Sequence, residues 1–190
     1  MQLRSVVLCN FAEYIRRARL NSTPMGNLVY LSLGSNVGDR EDHLREAIER
    51  LETKGRIVAV SSFYETEPVD FTDQARFLNC AVALKTNETP EQLMAAILCI
   101  EREMGRERIQ KKGPRIIDID ILLFGEATGD TVIDSPELTV PHPAMHARRF
   151  VLEPLTEIAP GARHPVFEKT IRELLDALPP GQEVRKLQKK

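Results

Sequence analysis

A chain of 190 residues, 42% hydrophobic and 28% charged, is long enough for one well-buried core and short for two ordinary domains. A formal net charge of -2 and a pI of about 6.1 argue against the electropositive field of a nucleic-acid or anionic-membrane binder, so any anionic ligand has to be held by a local cluster. No run of about 18 apolar residues offers a membrane span. The three cysteines, Cys9, Cys80 and Cys99, are odd in number and lack C-x-x-C spacing, and two sit in apolar segments, which points to a reducing, cytoplasmic setting.

Residues 1–26 stand apart. Their first twenty carry four arginines and one acid, faintly like a transit peptide, but a compact pattern begins only at Leu28, just after Met25. We read them as a disordered extension or an upstream start. Residues 27–180 form one domain. LVYLSLG is a buried-strand pattern ended by Gly34, and GDREDHLREAIERLE places Leu44, Ala47, Ile48 and Leu51 at helical spacing, with acids near its start and Gly55 after its end. RIVAVSSFYETEP reads as a second strand broken at Pro68, and Ala75 to Thr86 as a third. Thr89, Pro90 and Glu91 open a helix that Gly105 ends. The cationic RERIQKKGPR is a loop before the fourth strand, IIDIDILLFG.

The order β-α-β-β-α-β is that of the α+β, ferredoxin-like split βαβ unit, whose sheet is mainly antiparallel with its helices on one face. After it come a hairpin over Thr131 to Val140, turns and short helical pieces through PHPAMHARRFVLEPLTEIAP, and a final amphipathic helix, EKTIRELLDAL, halted by Pro179 and Pro180. Residues 181–190 are polar and read as a frayed tail.

GPRIIDIDILLFG carries the chemistry. Strand alternation turns Ile117, Ile119 and Ile121 one way and Asp118 and Asp120 the other, their Cβ atoms about 6.5 to 7 Å apart. Two like charges on one strand face ask for a compensating cation. Two hard oxygen donors without histidine or thiolate partners suit Mg²⁺, which keeps its waters and takes substrate phosphates as further ligands. Arg106, Arg108, Lys111, Lys112 and Arg115 supply local counter-charge for such phosphates. The wet face of an amphipathic strand gives the same alternation. Against that reading, this strand continues as the apolar ILLF, as a covered strand would.

LGSN, SSFYETEPV, FLNCAVAL, IEREMGRER, GPRIIDIDILLFG and LTVPHPAMHARRFVLEPL, in this order, resemble the 6-hydroxymethyl-7,8-dihydropterin pyrophosphokinase family over about Leu28 to His164. The resemblance implies a ferredoxin-like fold and transfer of pyrophosphate from ATP to the pterin hydroxymethyl group, releasing AMP, in folate biosynthesis. It implies that Asp118 and Asp120 bind two Mg²⁺ ions, an arrangement suited to in-line displacement. By the same match Arg106 and Arg115 neutralise the transferring group, and Arg108, Glu101, Ile121, Thr139, His142 and Arg148 stand on the nucleotide side. Thr66, Pro68, Val69 and Asn79 would read the pterin edge, with Phe77 and Phe150 sandwiching its ring. Asn79 in an apolar strand calls for a ligand or a local polar partner in any case, since a buried unpaired amide costs roughly 1 to 3 kcal/mol. Gly34 and Asn36 read as architectural support.

Two positions depart from the family's usual pattern. Lys112 stands where many members have an aromatic, and Glu137 where some carry arginine. The expected partners are ATP and the pterin, with no nucleic acid and no membrane, in a monomer or homodimer. Nucleotidyl transfer is a rival reading, but there the Gly-Ser turn and D-x-D lie close in sequence, whereas Gly34 and Ser35 are far from Asp118. A non-catalytic ferredoxin-like binding module is the other; an RNA-binding version fits poorly with 5% aromatics and a negative net charge.

Overall fold

The structure, a computed structural model, describes residues 26–68, 73–106, 113–125 and 130–188. Strand β1 (Asn27–Ser35) leads into helix α1 (Arg40–Leu51), which Asp39 caps by accepting the Asp42 N–H at 3.1 Å. Leu44, Ala47, Ile48 and Leu51 are all buried, as their spacing requires. Each large apolar side chain so buried contributes about 1.5–3 kcal/mol. Strands β2 (Arg56–Val60), β3 (Tyr64–Thr66) and β4 (Phe77–Thr86) follow. Helix α2 (Pro90–Glu103) opens with a full capping box between Thr89 and Gln92. Strand β5 (Asp118–Gly125) completes the β-α-β-β-α-β core.

The main sheet runs β5-β1-β4-β3-β8, where β8 is Val184–Lys186, with β2 also on β4, and every pairing is antiparallel. The second strand expected from RIVAVSSFYETEP is in fact two. Val60 faces Val82 and Tyr64 faces Asn79, so one extra residue sits on the outer strand, just after Ser61, which stays opposite Ala81. The Ser61 N–H donates to the Ala81 carbonyl and its Oγ accepts the Ala81 N–H, both at 2.9 Å.

The two helices of the β-α-β-β-α-β unit share one face, as expected, and helices of the C-terminal extension cover the other. On the first, α1 and α2 pack over Val29, Leu31, Leu33, Cys80, Val82 and Ile119. On the second lie α3 (Arg149–Ile158) and α4 (Ile171–Asp176), whose Val151, Leu152, Leu155, Ile171 and Leu175 meet Tyr30, Ala81, Ala83 and Leu123. The irregular pieces read before Pro160 thus include a ten-residue helix; Pro154, its sixth residue, lies inside it and supplies no N–H to the Phe150 carbonyl. Strands β6 (Ile133–Asp134) and β7 (Thr139–Val140) form the expected hairpin.

The tail expected to fray contains a strand, β8 (Val184–Lys186), on the outer edge of β3. Its polar sequence is compatible with a strand because charges attach it, Arg185 to Glu65 at 2.8 Å and Lys186 to Glu157 at 3.2 Å. Among the described residues no helix is long and apolar enough to cross a membrane.

Candidate active site

The second face of the sheet is only half covered. Beyond Tyr30 and Ala81, where the α3 packing ends, the same face presents Ser32 and Gly34 of β1, Phe77 and Asn79 of β4, and Asp118 and Asp120 of β5. These line a cavity of about 280 Å³. Register aligns them: Gly34 lies between Asp118 and Asn79, and Ser32 lies beside Asp120. Ile119 and Ile121 point into the opposite core, as the alternation predicts.

The two aspartates share a face but not an environment. Asp118 is held by Arg106 at 2.7 Å and by Arg115. Arg106 also pairs with Glu101, which is only 2% exposed and accepts the Ile119 N–H at 2.8 Å. Burial raises the Glu101 carboxyl above the usual range, against the pull of that N–H and of Arg106. Asp120 has no such partner among the described residues; there the nearest side chain able to carry positive charge is His142, with Nε2 at 4.0 Å. Burial, and then the charge of Asp118, pushes the Asp120 carboxyl up to about 7.

His142 is held neutral, its pKa pushed down to about 4 by burial first and then by Arg148. Its Nδ1 accepts the Ala144 N–H at 3.2 Å, so the ring proton is on Nε2, on the side of Asp120. It is therefore a neutral donor at the cavity wall. Asn36, 4% exposed, secures the loop that brings in Arg115: its Oδ1 accepts the Arg115 N–H at 2.7 Å and its Nδ2 donates to Gln74 and Ala75. Asn36 is the architectural residue that the turn after β1 suggests.

On the other side of the cavity Asn79 has found the polar partner its position demands, donating from Nδ2 to Thr66 Oγ1 at 2.7 Å. Both are buried, at 3% and 1% exposed. Gly34 is needed beside them, since a Cβ there would stand 2.7 Å from Asn79 Oδ1. Phe77, Phe150 and Pro68 complete this wall, and the Arg148 guanidinium lies 5.6 Å from the Phe150 ring centroid.

Most of the nominated residues therefore converge, with exceptions. Glu101 lies one layer down, behind Arg106. The Ile121 side chain is 2% exposed in the α1/α2 core, so only its main chain is left to face a ligand. Thr139 pairs with Asp134 in the hairpin and does not line the cavity, and Glu137 is exposed in its turn. Val69, Arg108, Lys111 and Lys112 lie outside the described residues. Ser32, Glu67 and Gln74 line the cavity without having been singled out. Ser32 shares strand parity with Gly34, which was the available signal.

Among the described residues no group of three or more His, Cys, Asp or Glu converges to hold a metal. The donor set is a carboxylate pair, one member of which lacks a close cation, and this suits a hard ion that draws its remaining ligands from water and phosphate.

A family model described as 7,8-dihydro-6-hydroxymethylpterin-pyrophosphokinase matches residues 30–160. The chain belongs to this family. Within the pyrophosphokinase family it is 48% identical over 136 residues to a Bacillus subtilis protein named 2-amino-4-hydroxy-6-hydroxymethyldihydropteridine pyrophosphokinase, covering 70% of this chain and 79% of that one. It is 44% identical over 145 residues to its Aquifex aeolicus namesake, covering 76% and 88%. Among solved structures, Plasmodium falciparum HPPK-DHPS with pterin superposes with a TM-score of 0.61 at 20% identity, over 83% of this chain and 45% of that longer one. That likeness supports the ferredoxin-like fold alone.

Proposed function

We propose that this protein transfers pyrophosphate from ATP to the hydroxymethyl group of 6-hydroxymethyl-7,8-dihydropterin, giving the pterin diphosphate and AMP in folate biosynthesis. The observation that carries the proposal is one cavity holding the aspartate pair with Arg106 and Arg115 beside a buried amide and two phenylalanines. That is a phosphate-handling half next to a half able to take a flat heterocycle.

Asp118 and Asp120 are the residues that would hold Mg²⁺. The ions, when bound, would neutralise phosphate charge and lower the pKa of the attacking hydroxyl. In the transfer, the pterin hydroxymethyl oxygen forms a bond to the β-phosphorus, the bond from that phosphorus to the oxygen of AMP breaks, and the hydroxyl proton leaves to solvent. The protein's own contribution is position and charge. Arg106 and Arg115, which hold Asp118 in the cavity, would offer their guanidinium groups to the phosphate oxygens of bound ATP. The His142 Nε2–H donates to a phosphate oxygen without adding charge, and Arg148 closes the nucleotide side. Asn79 and Thr66 fix the pterin edge between Phe77 and Phe150. Unpaired Cys80 and Cys99 suit a reducing cytoplasm.

The test is product identity after incubation with the hydroxymethyldihydropterin, ATP and Mg²⁺. AMP formed only when both pterin and metal are present is the expected result. ADP would indicate single-phosphoryl transfer, released pyrophosphate would indicate nucleotidyl transfer, and binding without turnover would leave a ligand-binding module; each would overturn the proposal.

A further inference from the structure

The residues just before β8 are bonded to two walls of the cavity although they lie beyond residues 30–160, the stretch matched by the family model. Glu183 accepts from Arg76 at 2.8 Å, and the same guanidinium nitrogen reaches Glu67, a cavity residue, at 2.9 Å. Gln182 Oε1 accepts the main-chain N–H of Phe150, also a cavity residue, at 3.3 Å.

The second contact fills a gap in α3. The first N–H groups of a helix have no partner within it, and a side chain at the N-cap usually accepts one of them. Arg148 occupies that position and makes no such bond; as a donor-only side chain it has no acceptor to offer. Gln182 supplies the acceptor from 32 positions further along the chain. It uses only the oxygen of its amide, because its Nε2 is buried with no hydrogen-bond partner among the described residues. The Oε1 contact to Phe150 fixes which end of the amide is which.

Building on the proposed pterin site, we infer that Gln182 is a positioning residue for the pterin. It caps α3 from the tail, fixes the Phe150 main chain, and thereby sets where the Phe150 ring stands against the heterocycle. An arginine can then occupy the N-cap and face the nucleotide without leaving the start of the helix free to shift. The proposed ATP contacts are mostly on other elements, so the two substrates should report the loss of this bond differently.

The experiment measures separate Michaelis constants for pterin and ATP in the full chain and two variants. Gln182→Met keeps the length and removes the acceptor; Gln182→Glu keeps the acceptor, replaces the unpartnered donor by a second oxygen and adds a negative charge. The loss of one hydrogen bond corresponds to a rise of about two- to ten-fold in the pterin KM for Gln182→Met, with the ATP KM within about two-fold of the parent. Gln182→Glu, which retains the bond to Phe150, keeps the pterin KM closer to the parent value than Gln182→Met does. An unchanged pterin KM in Gln182→Met, an equal defect in Gln182→Glu, or a joint rise of both constants with a lowered melting temperature would each overturn the inference. A parent protein that forms no AMP with the pterin would instead remove the reading of the site, and the role of Gln182 with it.

Discussion

Replacing Gly34 with alanine tests the geometry of the pterin wall through a single atom. The added Cβ would lie 2.7 Å from Asn79 Oδ1, inside normal contact, while the next neighbour, Phe77, is at a comfortable 3.7 Å. Gly34 is not among the residues with positive φ, so the backbone accepts alanine and the cost falls on Asn79. That side chain is 3% exposed, and turning it away breaks its 2.7 Å bond to Thr66. Leaving these groups unpaired costs about 1–3 kcal/mol, which in a domain of this size lowers the melting temperature by roughly 3–9 °C. Pterin KM should rise in parallel. Thermal melts of Gly34→Ala, Asn79→Ala and the double variant form the cycle that decides it. With Asn79 already truncated, alanine at 34 should cost less than about 0.5 kcal/mol more. The reasoning fails if Gly34→Ala melts within about 1 °C of the parent, or loses as much on the Asn79→Ala background.

Asp118→Asn and Asp120→Asn should each lower turnover by about two orders of magnitude or more at saturating Mg²⁺, measured as AMP release; near-parental activity in either would refute the metal assignment. Asp120→Asn should also gain stability over the parent in chelated buffer as the pH rises. The Asp120 pKa is raised from about 4 in the unfolded chain to about 7 in the fold, so the folded parent must give up a proton it holds tightly across that window, and denaturant melts from pH 4 to pH 7 follow the widening gap. His164 gives the opposite slope. Its Nδ1 accepts the Val166 and Phe167 N–H groups and burial lowers its pKa, so its stabilisation is present above about pH 6.5 and fades as the pH falls. The stability advantage of the parent over His164→Asn should shrink over that range. Gly55→Ala should be more damaging than Gly34→Ala, because its Cβ would meet the Lys85 carbonyl at 2.3 Å, a backbone atom with no rotamer to escape into; soluble yield and melting temperature report it.

The core of the fold was legible because its periodicities are clean. Leu44, Ala47, Ile48 and Leu51 announce one helix face, and the Ile117 to Ile121 alternation sets the two aspartates on one side of their strand. Ser61 was not legible as a break: it bridges the ladder with its hydroxyl, a three-dimensional match to Ala81 that no local pattern encodes. Strand β8 was hidden for a related reason, since Arg185 and Lys186 are held by Glu65 and Glu157 from distant segments. At the site, parity found Asp118 and Asp120, and the cost of burying an amide found Asn79. The family resemblance nominated Ile121 and Thr139, but it carries positions, not the direction in which a side chain points.

The half-covered sheet divides the labour of single strands. In β1, Val29, Leu31 and Leu33 are fully buried under α1 and α2, while the intervening Ser32 and Gly34 line the cavity. A deep mutational scan read out twice, once for abundance and once for growth without folate, should therefore separate Val29, Leu31 and Leu33 from Ser32 along this strand. The three apolar positions would be depleted in both screens and Ser32 chiefly in the second, while Tyr30, packed under α3, and Gly34, with no room for a Cβ beside Asn79, would fall in both. An engineer seeking altered ligand preference can begin a library at Ser32 and leave the scaffold's tolerance to heat largely untouched.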